Sequence, residues 1–198
     1  MAQSRRLLLY TLPLALFILM AALLFSGIGK DPTLLKSQLV GKIVPEFQKK
    51  TLLNPNEMIT NKDIHGPALI NVFGTWCPAC YHEHPLLIDI AQKEKVTIYG
   101  LNYNDKREDT IAYLNKLGNP YSKVIFDENG RLRIDLGVYG APETFVIDKD
   151  NNILYRHVGV ITKSSWESKI KPLIFPKNTS NSDNKSPPHK NTDKATIK

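Results

Sequence analysis

The chain has 198 residues, which leaves room for one ordinary domain and short appendages. Its formal net charge of +7 resides at the two ends, because residues 31–176 carry 18 basic and 17 acidic side chains. A nearly neutral central region gives no indication of nucleic-acid binding, and we expect this small domain to be monomeric.

The first feature along the chain is an apolar run over residues 7–25, preceded by Arg5 and Arg6. Its length is close to what a helix needs to cross a bilayer, and Pro13 within it does not exclude a membrane helix. Because positive charge tends to remain in the cytoplasm, we predict a cytoplasmic segment at 1–6, a transmembrane anchor at 7–25 and an exported remainder. A cleaved signal peptide is the alternative, which the length of the run and the lack of an Ala-x-Ala motif disfavour.

A linker over 26–36 is predicted to join the anchor to a globular domain over 37–175. Within that domain, residues 68–73 are apolar and bounded by turn residues, which is typical of a strand buried on both faces. A helix with one apolar side is predicted directly after it, from Pro78 to about Lys95.

Strand and helix then alternate again. A second strand is predicted at 96–101. The helix after it is predicted to begin with a capping box from Asp105 to Glu108 and to end at Gly118.

The last part of the domain is predicted to be an antiparallel hairpin and a helix. Strands at 144–148 and 153–158 are joined by a tight polar turn, and the helix follows at about 163–174. Together these elements predict an α/β fold with a central mixed sheet flanked by helices. The polar tail over 176–198 is predicted to be disordered.

The two cysteines of the chain lie in Trp76-Cys77-Pro78-Ala79-Cys80, between the buried strand and the helix. Two intervening residues place the sulfurs about one helical turn apart, close enough for a small disulfide ring. At the helix N-terminus, free N–H groups and the helix dipole favour a thiolate at an exposed Cys77, while Cys80 lies shielded one turn inside. Pro78 suits the first helical turn. The motif therefore predicts a redox dithiol in which Cys77 attacks and Cys80 resolves.

Two other interpretations of the cysteine pair are weaker. A structural disulfide is disfavoured because so short a loop removes little chain entropy. A metal site could use Cys77, Cys80 and His84, with His82 nearby. Structural zinc usually requires a second ligand pair, however, and the chain has no further cysteine. We therefore predict redox chemistry and no metal site.

Several separated stretches make the sequence similar to a known family. It resembles a thioredoxin-fold protein with an N-terminal extension and a single transmembrane helix, and in particular the CcmG/DsbE branch of thiol-disulfide oxidoreductases of cytochrome c maturation. The resemblance covers most of residues 37–175. It is carried by 41–47, 69–73 with 76–80, Glu83-His84-Pro85 and 137–145. The last stretch, Gly-Val-x-Gly-x-Pro-Glu-Thr-Phe, is the most characteristic of this branch, whereas Gly74, Tyr81 and the long tail depart from it.

The resemblance implies that three residues border the substrate. Pro142 would form a cis peptide bond facing the dithiol, an isomer that is rare except before proline; an ordinary trans turn is the alternative. Ala141 would then be free to pair its backbone with an extended substrate. Trp76 would flank Cys77 as an apolar wall, although simple core packing would also account for it.

The resemblance also implies roles for two carboxylates. Glu143 would lie beside the active-site groove. Glu83, one turn beyond Cys80, would take or relay the proton of the buried thiol, although a solvated helix face is the default for glutamate. A carboxylate near the thiols opposes thiolate formation, and Pro78-Ala79 supplies no histidine to favour it. We therefore predict a reductant.

The resemblance further implies the cellular setting. The domain would face the periplasm from the inner membrane, reduce apocytochrome c, and be recharged by a membrane electron donor of the DsbD or CcdA type; it would need no cofactor. Three alternatives stay open: a general periplasmic thioredoxin-like reductase, a peroxidase and a copper-binding assembly factor of the same fold. A peroxidase would need an activating Thr and Arg that are not evident, and copper factors typically space their cysteines one residue wider.

Overall fold

The computed structural model describes the backbone of residues 2–27 and 39–176, and the side chains of 12–25 and 39–176. Most of the predicted linker and all but the first residue of the predicted polar tail lie outside the described residues.

The N-terminal helix α1 spans Ala2–Gly27 and contains Pro13. Its described side chains, at 12–25, are all exposed, and most of them are large and apolar. Within the described part of the chain, no helix combines the length and the apolar character that a membrane span requires.

Seven strands form one mixed sheet in the order β2-β1-β5-β4-β3-β6-β7. The three central neighbours β3, β4 and β5 are parallel, and the remaining pairs are antiparallel. The predicted mixed sheet and the predicted hairpin are therefore confirmed. The strands are β1 Gln48–Thr51, β2 Met58–Thr60, β3 Ala68–Phe73, β4 Thr97–Tyr103, β5 Lys123–Asp127, β6 Glu143–Ile147 and β7 Ile153–Val158.

The helices of the domain connect and flank these strands. They are α2 Pro78–Lys93, α3 Arg107–Leu117, α4 Arg131–Asp135, α5 Lys163–Ser165 and α6 Lys171–Ile174, with a π turn over Trp166–Ile170 between the last two. The predicted C-terminal helix is thus confirmed but interrupted. Pro172 explains the irregularity, because it has no N–H to donate to the Ser168 carbonyl.

Strand β3 is buried on both faces, as predicted, and it divides the core into two clusters. Leu69 and Phe73 pack on one face with apolar side chains of α2, α3 and the C-terminal helix. Ile70 and Val72 pack on the other face with side chains of α4. Because side chains alternate along a strand, the polar Asn71 lies on the α2 face, inside the core.

The predicted start of helix α3 is wrong. The helix begins at Arg107 with Lys106 at its N-cap, and no side chain caps it. Asp105 instead turns away to accept hydrogen bonds from Thr75, in the loop before the cysteines. The predicted end of this helix is confirmed, because Gly118 has φ +88°, a left-handed value that favours glycine.

Candidate active site

The cysteine pair lies at the junction of β3 and α2. Cys77 is the N-cap of α2, Pro78 occupies the first turn, and Cys80 lies one turn inside. The two sulfurs form a disulfide, with 5.4 Å between the Cα atoms. The Cys80 backbone N–H donates to Cys77 Sγ over 3.1 Å, so an amide of the first helical turn points at the predicted nucleophile.

The prediction of an exposed Cys77 is wrong for the oxidised protein. Cys77 is 3% exposed and Cys80 is 2% exposed. Both belong to the apolar cluster on the α2 face of the sheet, with Ala79 and Ala141 packed against that cluster. A disulfide carries no charge, so burying it requires no compensating partner.

Trp76 lies beside the cysteines and is held by the end of β4. Its indole Nε1–H donates to the Tyr103 carbonyl over 3.3 Å, and its ring meets the Tyr103 ring edge-on at 5.3 Å between centroids. About half of the Trp76 side chain remains exposed. A Cβ at Gly74 would lie 2.5 Å from the indole nitrogen, so only glycine leaves room for the ring to fold back.

Glu83 is buried on α2, one turn beyond Cys80, so the alternative of a solvated helix face is wrong. It is 1% exposed, and its two oxygens accept from Asn71 Nδ2 and from the Ile161 backbone N–H, each over 2.9 Å. Burial raises the pKa of Glu83 to about 7, although both hydrogen bonds lower it. Glu83 therefore titrates near neutral pH, where an acid-base group is most effective.

Asn71 connects Glu83 to a network that sequence reasoning did not identify. Its Nδ2 also donates to Thr144 Oγ1 over 3.0 Å, and its Oδ1 accepts from the Tyr121 hydroxyl over 2.9 Å. The signal that could have revealed it is an amide inside an otherwise apolar strand, since a buried polar side chain needs partners.

Glu143 supports the loop before Pro142 and is itself fully engaged. One oxygen accepts from the backbone N–H groups of Tyr139 and Gly140, at 3.0 and 3.3 Å. The other oxygen forms a buried ion pair with Arg156, at 2.6 Å from Nη2 and 2.7 Å from Nε. Sequence reasoning missed Arg156, which lies on β7 opposite Phe145.

The Ala141–Pro142 peptide bond is cis, as predicted. Pro142 is buried and Ala141 is half-buried against the cluster that contains the cysteines. The Gly66–Pro67 bond is also cis, which was not predicted. Near the first of these bonds, Tyr139 is 78% exposed with its ring 5.1 Å from the Arg156 guanidinium, so it adds an aromatic surface beside Ala141.

The histidines proposed for the metal alternative do not converge on the cysteines. His84 is buried, with Nε2 2.9 Å from the Gly118 carbonyl and Nδ1 3.2 Å from the Tyr113 hydroxyl. Burial lowers the pKa of His84. His82 lies on the exposed side of α2. Among the residues with described side chains, no three His, Cys, Asp or Glu groups come together to hold a metal ion.

Comparisons with known proteins place the chain in a family. The Redoxin family model matches residues 39–172. The thiol:disulfide interchange protein DsbE of Vibrio cholerae serotype O1 is 48% identical over 168 residues, 82% of this chain and 91% of the relative. DsbE of Escherichia coli (strain K12) is 43% identical over 169 residues, with the same two coverages of 82% and 91%.

The fold is also similar to that of a solved structure, a secreted thiol-disulfide isomerase from Corynebacterium glutamicum. The TM-score is 0.58 at 22% identity, over 66% of this chain and 84% of that one. This likeness supports the fold alone. The family match and the DsbE relatives carry the functional conclusion: the chain belongs to the DsbE thiol:disulfide interchange proteins of the Redoxin family, and it is a thiol-disulfide oxidoreductase.

Proposed function

We propose that this protein is an exported reductant that opens the disulfide of the haem-binding Cys-x-x-Cys-His site of apocytochrome c. The observation that carries the proposal is the pairing of Cys77, at the N-terminus of α2, with a buried Glu83 one turn beyond Cys80. This arrangement supplies a nucleophile at one sulfur and a proton acceptor near the other.

The reaction follows from the roles of the two sulfurs. In the reduced protein, the Cys77 thiolate attacks one sulfur of the substrate disulfide and forms a mixed disulfide, and the other substrate sulfur leaves as a thiolate. Cys80 then loses its proton to Glu83 and attacks Cys77 Sγ. The substrate departs as a dithiol once its two sulfurs are protonated. It has then gained two electrons, and the protein that supplied them is left with a Cys77–Cys80 disulfide.

The direction of the reaction is inferred from the groups around the dithiol. Strongly oxidising dithiols are those whose reduced form is stabilised, above all through the thiolate. A carboxylate buried one turn beyond Cys80 opposes negative charge on the sulfurs, and Pro78-Ala79 contributes no stabilising histidine. Both features favour transfer of electrons from this protein to its substrate.

The surface around Cys77 suits an extended polypeptide. Trp76 would form an apolar wall on one side, and the backbone of Ala141, directly before Pro142, would pair with the substrate. The resemblance to the CcmG/DsbE branch supports both roles.

The setting follows from the same proposal. An exported reductant needs recharging, because its compartment is kept oxidising, and a DsbD or CcdA-type membrane donor would supply the electrons. The proposal of an inner-membrane anchor, with the domain in the periplasm, rests on the sequence: the apolar run at 7–25 follows Arg5 and Arg6. A tether of this kind raises the effective concentration of the domain near the donor and the translocated substrate.

Trapping the mixed disulfide tests this function. Cys80→Ser removes the resolving sulfur, so we expect Cys77 to form a long-lived adduct with a synthetic peptide that carries an oxidised Cys-x-x-Cys-His site. Cys77→Ser should form no adduct, since the attacking sulfur is absent. Mass spectrometry after acid quenching measures both outcomes.

A second peptide of the same ring size without the histidine provides the control. Faster trapping of the haem-site peptide supports the proposed substrate. Equal trapping of both peptides would indicate a general periplasmic reductase instead. An adduct formed by Cys77→Ser through Cys80 would contradict the assignment of the two sulfurs.

A further inference from the structure

Asp105 forms hydrogen bonds with the loop that leads into the active site. This loop follows β3, and Asp105 lies in the neighbouring loop, after the parallel strand β4. One carboxylate oxygen of Asp105 accepts from the Thr75 backbone N–H over 2.6 Å, and the other accepts from Thr75 Oγ1 over 2.7 Å. Two short charged hydrogen bonds to one residue fix both its backbone and its side chain.

Asp105 is itself rigidly held. Asn102 Nδ2 donates to it over 3.0 Å, and the Lys106 backbone N–H donates over 2.9 Å. Asn102 is fully buried and accepts in turn from Thr110 Oγ1, at the first turns of α3. Burial alone would raise the pKa of Asp105, but the hydrogen bonds outweigh it and hold the pKa below its usual value. The carboxylate is therefore charged at neutral pH.

The residue next to Thr75 is Trp76, and it depends on the same support. Its indole nitrogen is bound to the Tyr103 carbonyl, two residues before Asp105. The turn that joins Trp76 to the dithiol is closed by a hydrogen bond from the Cys77 N–H to the Gly74 carbonyl, over 3.1 Å. The end of β4 thus supports Thr75 and Trp76 together.

We propose that Asp105 is a positioning residue: through Thr75 it holds the half-exposed Trp76 beside the Cys77–Cys80 pair in the orientation that a protein substrate contacts. It does not touch the sulfurs and takes no part in electron transfer. The inference rests on the proposed docking of a polypeptide against Trp76. A small disulfide, which needs no such docking surface, should react independently of Asp105.

The test compares protein and small-molecule substrates in the full-length protein, purified in detergent. We expect Asp105→Ala and Thr75→Val to slow reduction of an oxidised Cys-x-x-Cys-His peptide and of insulin about tenfold, the change that about 1.4 kcal/mol produces. Reduction of oxidised glutathione should change less than about twofold. Thr75→Ser keeps the hydroxyl and should reduce the protein substrates at about the wild-type rate. This variant therefore separates loss of the hydrogen bond to Asp105 from a change in side-chain shape.

The chain offers a matched control at another Thr–Asp pair. Asp63 accepts from the backbone N–H and hydroxyl of Thr60, at 2.8 and 2.7 Å, in the exposed turn after β2. Asp63→Ala removes the same kind of hydrogen bonds next to β2, the edge strand that lies four places from β3 in the sheet. It should leave both the protein-substrate and the glutathione rates unchanged.

Fluorescence quenching gives a readout of the tryptophan itself. The chain has two tryptophans, and Trp166 is buried at 1% exposure, so iodide quenches chiefly Trp76. Quenching should increase in Asp105→Ala and Thr75→Val and stay at the wild-type level in Asp63→Ala.

Several results would overturn the inference. They are unchanged rates and quenching in both site variants, an equal loss with glutathione and with insulin, or no rescue by Thr75→Ser. If the wild type reduces insulin but not the haem-site peptide, the proposed substrate is wrong. The ratio of variant to wild-type rates with insulin still decides the role of Asp105. If Asp105→Ala does not fold, the comparison of Thr75→Val with Thr75→Ser decides whether the hydrogen bond between Thr75 and Asp105 positions Trp76.

Discussion

Arg156→Ala is expected to lower the free energy of unfolding by about 3–5 kcal/mol, the usual cost of leaving one member of a buried ion pair without its partner. The Arg156 and Glu143 side chains are 5% and 1% exposed, so the variant leaves a buried carboxylate without its cation. The variant also removes a cation from the faces of Tyr139 and Phe145. Urea unfolding monitored by circular dichroism at pH 7 measures the change.

An exposed ion pair in the same domain provides the control for this prediction. Arg131 and Asp135 are 74% and 41% exposed and lie 3.4 Å apart on α4. Arg131→Ala should therefore change the free energy of unfolding by about 0–1 kcal/mol. Adding Glu143→Gln to Arg156→Ala should recover part of the loss, because the amide keeps an acceptor for the Tyr139 and Gly140 N–H groups and no longer buries a charge. A loss for Arg156→Ala no larger than for Arg131→Ala would show that the pair carries little stability.

Glu83→Gln is expected to remove a pH dependence of stability worth about 3 kcal/mol. The pKa of Glu83 rises from 4.5 to about 7 in the folded protein, and each pKa unit is worth about 1.4 kcal/mol. A carboxyl with a higher pKa in the native state than in the unfolded chain binds protons more tightly when folded. Its stabilising contribution is therefore complete below the unfolded value and is lost as the pH rises through about 7.

The measurement is the difference in unfolding free energy between Glu83→Gln and the wild type, taken at about pH 4 and at about pH 9. The difference should shift in favour of the variant by about 3 kcal/mol over that range. Glu57→Gln, which removes an exposed carboxylate paired with Lys123, serves as the control and should show no comparable shift. A flat difference for Glu83→Gln would mean that Glu83 ionises normally in the folded state.

The parts of this protein that were predictable have local causes. Residues 68–73 are buried on both faces, and a continuous apolar run bounded by turns indicates that directly. The hairpin of β6 and β7 follows from two apolar segments with a short polar turn. The position of Cys77 as N-cap follows from its place just before Pro78. Each of these features is set by neighbours in the sequence.

The parts that were missed depend on contacts between distant segments. Strands β1, β2 and β5 and the short helix α4 were not predicted. Strand β2 at the edge of the sheet and its neighbour β1 are short and half-exposed, and their pairing is set by the sheet. Asp105 has the local pattern of a helix cap, but Thr75, thirty residues earlier, competes successfully for its carboxylate. The burial of Glu83 likewise depends on partners far along the chain.

The equilibrium reduction potential of the Cys77–Cys80 pair tests the central claim most directly. The full-length protein in detergent is equilibrated with dithiol buffers, and the redox state is read from Trp76 fluorescence and from thiol alkylation. A reductant for apocytochrome c requires a value more negative than about −200 mV, toward that of thioredoxin. A value near about −120 mV, typical of strong oxidants, would make the protein a disulfide donor and contradict the proposed function.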